Sequence, residues 1–210
     1  MKFSVDCSNY TGIISDSAIS QIKEWHYPAG FSFDKIDRLI AGTQVPSVCN
    51  QQLWKALDAG LNIDCYVQLK STDVGETLKQ TMAMAAYSVE DLRGFFTTGA
   101  KERIYLGFEV NLPTGQSGIS WIDQCKKAAL KAGFKRVGIY TAKWWWNAYV
   151  INSQYLFTTM PLWYAHYDYI LPTPESWREE GFGGWWKPAM KQYNDNVWFQ
   201  GRRFDLNASP

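Results

Sequence analysis

The chain has 210 residues, 46% of them hydrophobic, enough to build one sizeable core without metal or disulfide staples. Twenty-one lysines and arginines against 20 aspartates and glutamates leave a net charge of +1, which excludes the basic field that nucleic-acid or anionic-membrane binding requires. The apolar runs fall far short of the roughly 18 residues of a spanning helix, and residues 1–8 read as a strand and not as a signal peptide, so neither a nucleic-acid partner nor membrane insertion is expected.

Residues 3–8, FSVDCS, alternate about a β-branched centre and predict a strand running into the turn-rich segment 9–12. Ser15, Asp16 and Ser17 offer caps for a helix carrying Ile19, Ile22 and Trp25, which Pro28 and Gly30 stop. A strand over 35–41, a helix over 51–59 closed by Gly60 and a strand over 62–69 repeat the unit. A helix over about 75–96, a strand over 103–110 and a helix over 117–132 closed by Gly133 follow, the last with Ile119, Ile122, Cys125 and Ala129 along one side. Ala56-Leu57-Asp58-Ala59-Gly60-Leu61 is echoed by Ala129-Leu130-Lys131-Ala132-Gly133-Phe134, each leading into a strand that carries a tyrosine, Tyr66 and Tyr140. Beyond Thr141 the rhythm breaks into short strands at 162–165, 191–193 and 203–206, between loops rich in Trp, Gly and Pro. The class that fits is α/β: a single domain over 1–210 forming a modified (β/α) TIM-like barrel whose last third has short strands and few helices. An open doubly wound sheet is the alternative, but no Gly-rich phosphate loop supports it.

In such barrels functional side chains sit at the carboxyl ends of the strands. That rule selects Asp6 on the first strand, Glu109 on the fourth, Tyr140 on the fifth and Asp205 on the last, with Asp64, Tyr66 and Gln68 sharing one face of the third. Three converging carboxylates, Asp6, Glu109 and Asp205, suit glycoside hydrolysis, where one acid protonates the departing oxygen and other negative charge stabilises an oxocarbenium-like transition state. Their mutual repulsion keeps one of them protonated near neutrality. Glu109 is the expected donor, because the apolar stretch 105–108 before it would desolvate it. Asp64 faces inward and needs either a structural partner or a part in the chemistry. The cysteines, Cys7, Cys49, Cys65 and Cys125, form no C-x-x-C pair, and His26 and His166 are the only histidines, so no metal site and no cofactor is expected. Disulfides and buried thiols remain equally open for the four cysteines. Asn9 and Asn207 head glycosylation-type triplets. Eleven Trp, twelve Tyr and eleven Phe exceed what a core needs and point to recognition of a flat ligand.

The segments Val5-Asp6-Cys7-Ser8-Asn9-Tyr10, Gly138-Ile139-Tyr140, Leu162-Trp163-Tyr164-Ala165, Gln192-Tyr193 and Asp205-Leu206-Asn207, with Tyr66, stand in this order along nearly the whole chain. Together they resemble glycoside hydrolase family 25, barrel lysozymes that cleave the link between N-acetylmuramic acid and N-acetylglucosamine in peptidoglycan. The resemblance implies that Asp6, Glu109 and Asp205 are catalytic, with Glu109 as proton donor. It implies that Tyr66, Tyr140, Asp64, Trp163 and Gln192 line the substrate cleft, and that the partner is bacterial cell-wall glycan. A secreted or extracellular monomer is expected. One departure stands out: the family's Asp-x-Glu on the fourth strand is here Gly107-Phe108-Glu109. Restoring an acid at 107 is expected to raise the rate. The alternative expectation, of another class, is a glycan-binding protein on the same fold with impaired turnover.

Overall fold

The computed structural model describes residues 1–8, 11–25, 35–42, 46–69, 103–114, 117–131, 134–150, 156–173, 175–178 and 180–210. The helix expected over 75–96, together with Asn9, His26 and Gly133, lies outside the described residues. Eight strands close into a barrel in sequence order: β1 (Lys2–Cys7), β2 (Ile36–Gly42), β3 (Asn62–Gln68), β4 (Ile104–Phe108), β5 (Val137–Thr141), β6 (Leu162–Ala165), β7 (Met190–Phe199) and β8 (Arg202–Ser209). The first seven run parallel, and β8 is antiparallel to both of its neighbours, β7 and β1. Helices α1 (Asp16–Lys23), α2 (Pro46–Asp58), α3 (Gly118–Lys131) and α4 (Lys143–Tyr149) occupy crossovers between parallel strands, so the expected α/β barrel is what forms.

Local chemistry sets the helix ends. The Ser15 hydroxyl accepts from the Ala18 N–H at 3.2 Å, Asp16 and Lys23 complement the helix dipole, and Ala18, Ile19 and Ile22 turn inward. At the end of α2, Gly60 has φ +78°; its N–H bonds Leu57 O and the Leu61 N–H bonds Ala56 O at 2.9 Å. This satisfies the last carbonyls and delivers Leu61 into the core. Phe134 makes the equivalent bond to Ala129 O, which is the physical content of the sequence echo.

The outward faces of the strands and the helices share one apolar cluster that includes Val5, Leu39, Ile63, Trp121 and Ile122. A second cluster, with Ile40, Tyr66, Tyr105, Tyr140, Trp163 and Met190, fills the lumen. The Trp163 ring stands 4.6 Å from Tyr140, 5.2 Å from Tyr105 and 5.6 Å from Tyr66. The barrel is therefore plugged by aromatic packing, and only its mouth is left for chemistry.

The last two strands depart from expectation. They are 10 and 8 residues long, the two longest in the barrel, where the sequence predicts the short pieces 191–193 and 203–206; β7 runs on through the polar residues Asn194, Asp195 and Asn196. Register shifts between Gln192 and Asn194 and between Asn194 and Val197 absorb those residues as bulges, with Asn196 at φ +60°. Gln200 and Gly201, both at positive φ, turn the chain as a two-residue hairpin loop. Reversal of β8 also explains Asp205, which lies mid-strand and not at a carboxyl end. It reaches the mouth because this strand runs the other way.

Candidate active site

Asp6 on β1 and Asp205 on β8 are direct cross-strand partners, a pairing that places like charges side by side and destabilises the sheet unless something intervenes. The Gln192 side chain on β7 intervenes. Its Nε2 donates to Asp6 Oδ2 at 2.8 Å and to Asp205 Oδ2 at 3.0 Å, and its Oε1 accepts from Tyr140 and Tyr167, each at 2.8 Å. All four hydrogen-bonding positions of the amide are filled, which fixes its orientation. Asn207 Nδ2 donates to Asp6 Oδ2 at 2.8 Å, while Asn207 Oδ1 accepts from the Trp163 indole at 2.8 Å. Asp205 Oδ1 accepts from the Asn196 backbone N–H at 3.0 Å, so the left-handed turn at Asn196 aims a donor at the acid.

Glu109 joins the network from the end of β4. The Gln68 Nε2 donates to its Oε2 at 2.8 Å, and the Tyr140 hydroxyl bonds its carboxyl group. Tyr140 thus links Glu109 to the amide that holds the two aspartates. A cleft of about 360 Å³ opens over this floor, lined by Asp6, Tyr66, Gln68, Asn196, Arg203 and Asp205 among others.

Burial raises all three carboxyls. For Asp6 desolvation acts first, reinforced by Asp205 and more weakly by Glu109, against the bonds from Asn207 and Gln192. For Asp205 burial outweighs the Asn196 N–H, and Asp195 raises it while Arg203 lowers it. For Glu109 burial outweighs the hydrogen bonds from Gln68 and Tyr140, and it too sits above the ordinary carboxyl range. The mouth favours protons on its acids.

The place left by Gly107 is not empty. A Cβ there would stand 2.9 Å from Gln68 Oε1 and 3.2 Å from Val67 O, so the Gln68 amide fills the space beside Glu109 that an aspartate side chain would need. Gln68 pairs with Gly107 in the β3–β4 register, and its partnership with Glu109 is what the sequence reading did not supply.

Three residues expected to line the cleft sit elsewhere. Asp64 faces the lumen four residues below Gln68, at the opposite end, where Arg38 Nη1 pairs with its Oδ2 at 2.6 Å. Alternation gave its face correctly; its depth follows from register with Ile40 of β2. Trp163 is fully buried beneath the tyrosines and supports Asn207 instead of meeting ligand. Gln192 is likewise buried and holds the acids. Tyr66 lies in the lining of the cleft, and Tyr140 is a network residue. Asn207 is completely buried, which removes it as a glycan acceptor in the folded chain. The four cysteines are buried thiols, with Cys7 Sγ 3.3 Å from Gln52 Oε1. Of the three consecutive tryptophans, Trp145 and Trp146 are core and Trp144 is exposed.

Missed by sequence reasoning were Tyr167, Asn196, Asn207 and Arg203. The strand alternation 203-205-207 on β8 was the available signal for two of them. Folding also gathers His166, Asp168 and Glu180, whose ligand atoms lie within 4.8 Å of one another. The buried Lys191 Nζ already bonds Asp168 and Glu180 at 2.6 Å each, taking the place a cation would fill. His166 Nδ1 lies 3.0 Å from Glu180. This cluster ties the loop carrying Tyr167 to β7.

Amide-bridged acids at the mouth of a plugged α/β barrel are an arrangement that suits glycoside hydrolysis. A family model described as Lys-1, Lysozyme-like protein 1, matches residues 1–193. The chain is 31% identical over 168 residues to "Probable GH family 25 lysozyme 5" of Dictyostelium discoideum, covering 76% of this chain and 71% of that one. It is 28% identical over 183 residues to "Probable GH family 25 lysozyme 3" of the same organism, covering 80% of this chain but a third (33%) of that one. Among solved structures it resembles the muramidase from Trichobolus zukalii, with TM-score 0.65 and 19% identity over 100% of this chain and 94% of that one. The bacterial lysozyme from Streptomyces coelicolor gives TM-score 0.63 and 21% identity over 99% and 91%; both likenesses show a shared fold. The chain belongs to glycoside hydrolase family 25, the lysozyme-type glycoside hydrolases.

Proposed function

We propose that the protein is a muramidase that hydrolyses the β-1,4 link between N-acetylmuramic acid and N-acetylglucosamine in peptidoglycan with retention, Glu109 acting as general acid. The observation that carries this reading is the Gln192 amide, which binds Asp6 and Asp205 in one frame and connects through Tyr140 to a desolvated Glu109. Asp6 is buried and accepts two amide N–H bonds on one oxygen, so it is poorly placed to attack an anomeric carbon. The substrate's own acetamide oxygen attacks instead. Glu109 gives its proton to the glycosidic oxygen as the C1–O bond breaks and the acetamide oxygen bonds C1, leaving a positively charged bicyclic oxazolinium. Asp205, the more accessible aspartate, orients the acetamide N–H, and the negative charge of the mouth stabilises the cation. Water then attacks C1, losing a proton to the Glu109 carboxylate, and the ring opens with overall retention.

Proton bookkeeping within the network favours Glu109 as a donor. With both phenolic protons directed at Gln192 Oε1, the Tyr140 oxygen accepts from protonated Glu109. Once Glu109 ionises, Tyr140 turns its proton to the new carboxylate while Tyr167 keeps Gln192 bonded. The whole chain acts as one catalytic domain, a monomer working outside the cell, with β8 near the end of the chain closing the barrel against β1. The test is turbidity loss and release of reducing ends from purified bacterial cell walls. The wild type is expected to lyse them at acid to neutral pH, and Glu109→Gln to lower kcat/KM about 10²–10⁴-fold. Absence of lysis by the pure wild type, or full activity in Glu109→Gln, contradicts the assignment.

A further inference from the structure

The β7–β8 hairpin continues past the barrel mouth, and its two faces have different fates. Val197 and Phe199 on β7 and Phe204 on β8 pack against the apolar cluster, with Phe199 stacked on Trp25 at 4.3 Å. The opposite face carries Asn207, Asp205 and, about 6.7 Å further up from Asp205, Arg203. Arg203 lines the cleft with Asp6 and Asp205 and is the single cation among its described lining residues. Its cross-strand partner is Trp198. Directly paired residues of antiparallel strands project to the same side, so the indole and the guanidinium leave the hairpin on one face. Trp198 is 68% exposed although its hairpin already has a complete buried face.

Arg203 is also uncommitted. Its guanidinium makes no hydrogen bond or ion pair with any described residue, Asp205 included, and acts on that acid only at longer range. The acids of the same hairpin are already engaged, Asp205 by Gln192 and Asn196 and Asp195 by Tyr169 and Asn196. An anionic ligand entering a cleft lined by Asp6 and Asp205 meets repulsion where these are ionised, and Arg203 is the group placed to offset it.

We propose that Trp198 and Arg203 form a subsite for a pyranose bearing an ionised carboxylate, the sugar face on the indole and the carboxylate on the planar guanidinium. The inference rests on the glycan-cleaving reading of the cleft and deepens it: the site selects acidic saccharides over neutral ones of the chitin type. The carboxylate has two sources, the sugar's own lactyl ether or the end of an attached peptide.

The test is calorimetric titration of the Glu109→Gln chain, which removes turnover. Its three probes are N,N′-diacetylchitobiose, the N-acetylglucosamine–N-acetylmuramic acid disaccharide with a free lactyl carboxylate, and that disaccharide carrying a dipeptide whose only carboxylate is terminal. At least one acidic probe is expected to bind about tenfold tighter than chitobiose, and which one does so identifies the source. Adding Arg203→Gln is expected to erase that preference while changing chitobiose affinity less than about twofold, and Arg203→Lys to restore part of it. Adding Trp198→Ala is expected to weaken every probe about 2–10-fold. Equal affinity for neutral and acidic probes, loss of both alike in Arg203→Gln, or no binding of any probe overturns the subsite. Failure of the wild type to lyse walls while the Arg203-dependent preference persists overturns the muramidase reading alone.

Discussion

The barrel buries carboxylates at both ends and treats them differently. At the floor, Asp64 meets Arg38 at 2.6 Å and has Arg103 nearby. Burial still pushes its carboxyl up to about 6, but the two arginines oppose that rise, and the group is a structural tie between β2 and β3. At the mouth, Asp6, Asp205 and Glu109 are held by amides and phenols. The uncharged donors favour the ionised form as the arginines do, but at both ends burial outweighs the partners, and for Asp6 and Asp205 a neighbouring carboxylate adds to the rise. The same side-chain type is therefore tied to a cation at one end and to amides and phenols at the other, according to what is placed beside it.

Five changes would break or sharpen this contrast. The largest expected effect is the 10²–10⁴-fold rate loss in Glu109→Gln, with thermal unfolding showing that the fold survives. Next, Arg38→Met should destabilise the protein by about 3 kcal/mol at neutral pH, because Asp64 is left charged and buried. Asp64 titrates near 6 with Arg38 in place and higher once that cation is removed, so the penalty shrinks as pH falls and the carboxyl takes up its proton. Urea unfolding at pH 7.5 and pH 4.5 measures both values.

At the mouth the direction reverses. Carboxyls raised above the ordinary value of about 4 bind more protons folded than unfolded. Their contribution to stability is full below that value and is lost as pH rises towards their folded pKa. Asp6→Asn keeps an acceptor for Gln192 and Asn207 while removing the charge. It should raise stability at neutral pH by about 1 kcal/mol, or roughly 2–4 °C in Tm, while lowering activity; an unchanged or lower Tm would show that the charge is not a burden. The smallest effect is expected at Gln68. Its hydrogen bond favours the ionised form of Glu109, so Gln68→Ala should move the alkaline limb of the kcat/KM profile to higher pH. Gly107→Asp should displace the Gln68 amide, 2.9 Å from the new Cβ, and the expected gain in rate is best sought in the Gln68→Ala background.

Much of this was legible in the chain. The strand-end rule singled out Asp6, Glu109 and Asp205, alternation gave the inward face of Asp64, Tyr66 and Gln68, and the helix-end echo marked the repeated αβ units. Asp64 shows the limit: period-two alternation separates inside from outside, but whether an inward residue lies at floor or mouth depends on the register of its neighbour. Asp205 shows another, since its depth follows from the reversal of β8. The Asn194-Asp195-Asn196 run reads locally as a loop and becomes strand only because bulges and the cross-strand partner absorb it. Gln192, expected in the cleft lining, and Asn207, which heads a glycosylation-type triplet, are instead turned inward by the fold, where each satisfies a buried acid.

The central claim is that the mouth keeps its acids protonated above the ordinary carboxyl range while leaving their geometry fixed. Carboxyl carbon-13 NMR titration of the wild type measures it directly, with Asp6, Glu109 and Asp205 assigned through their Asn and Gln variants. All three are predicted to titrate above model carboxyls; Asp6 and Glu109 at or below the model values would contradict the account.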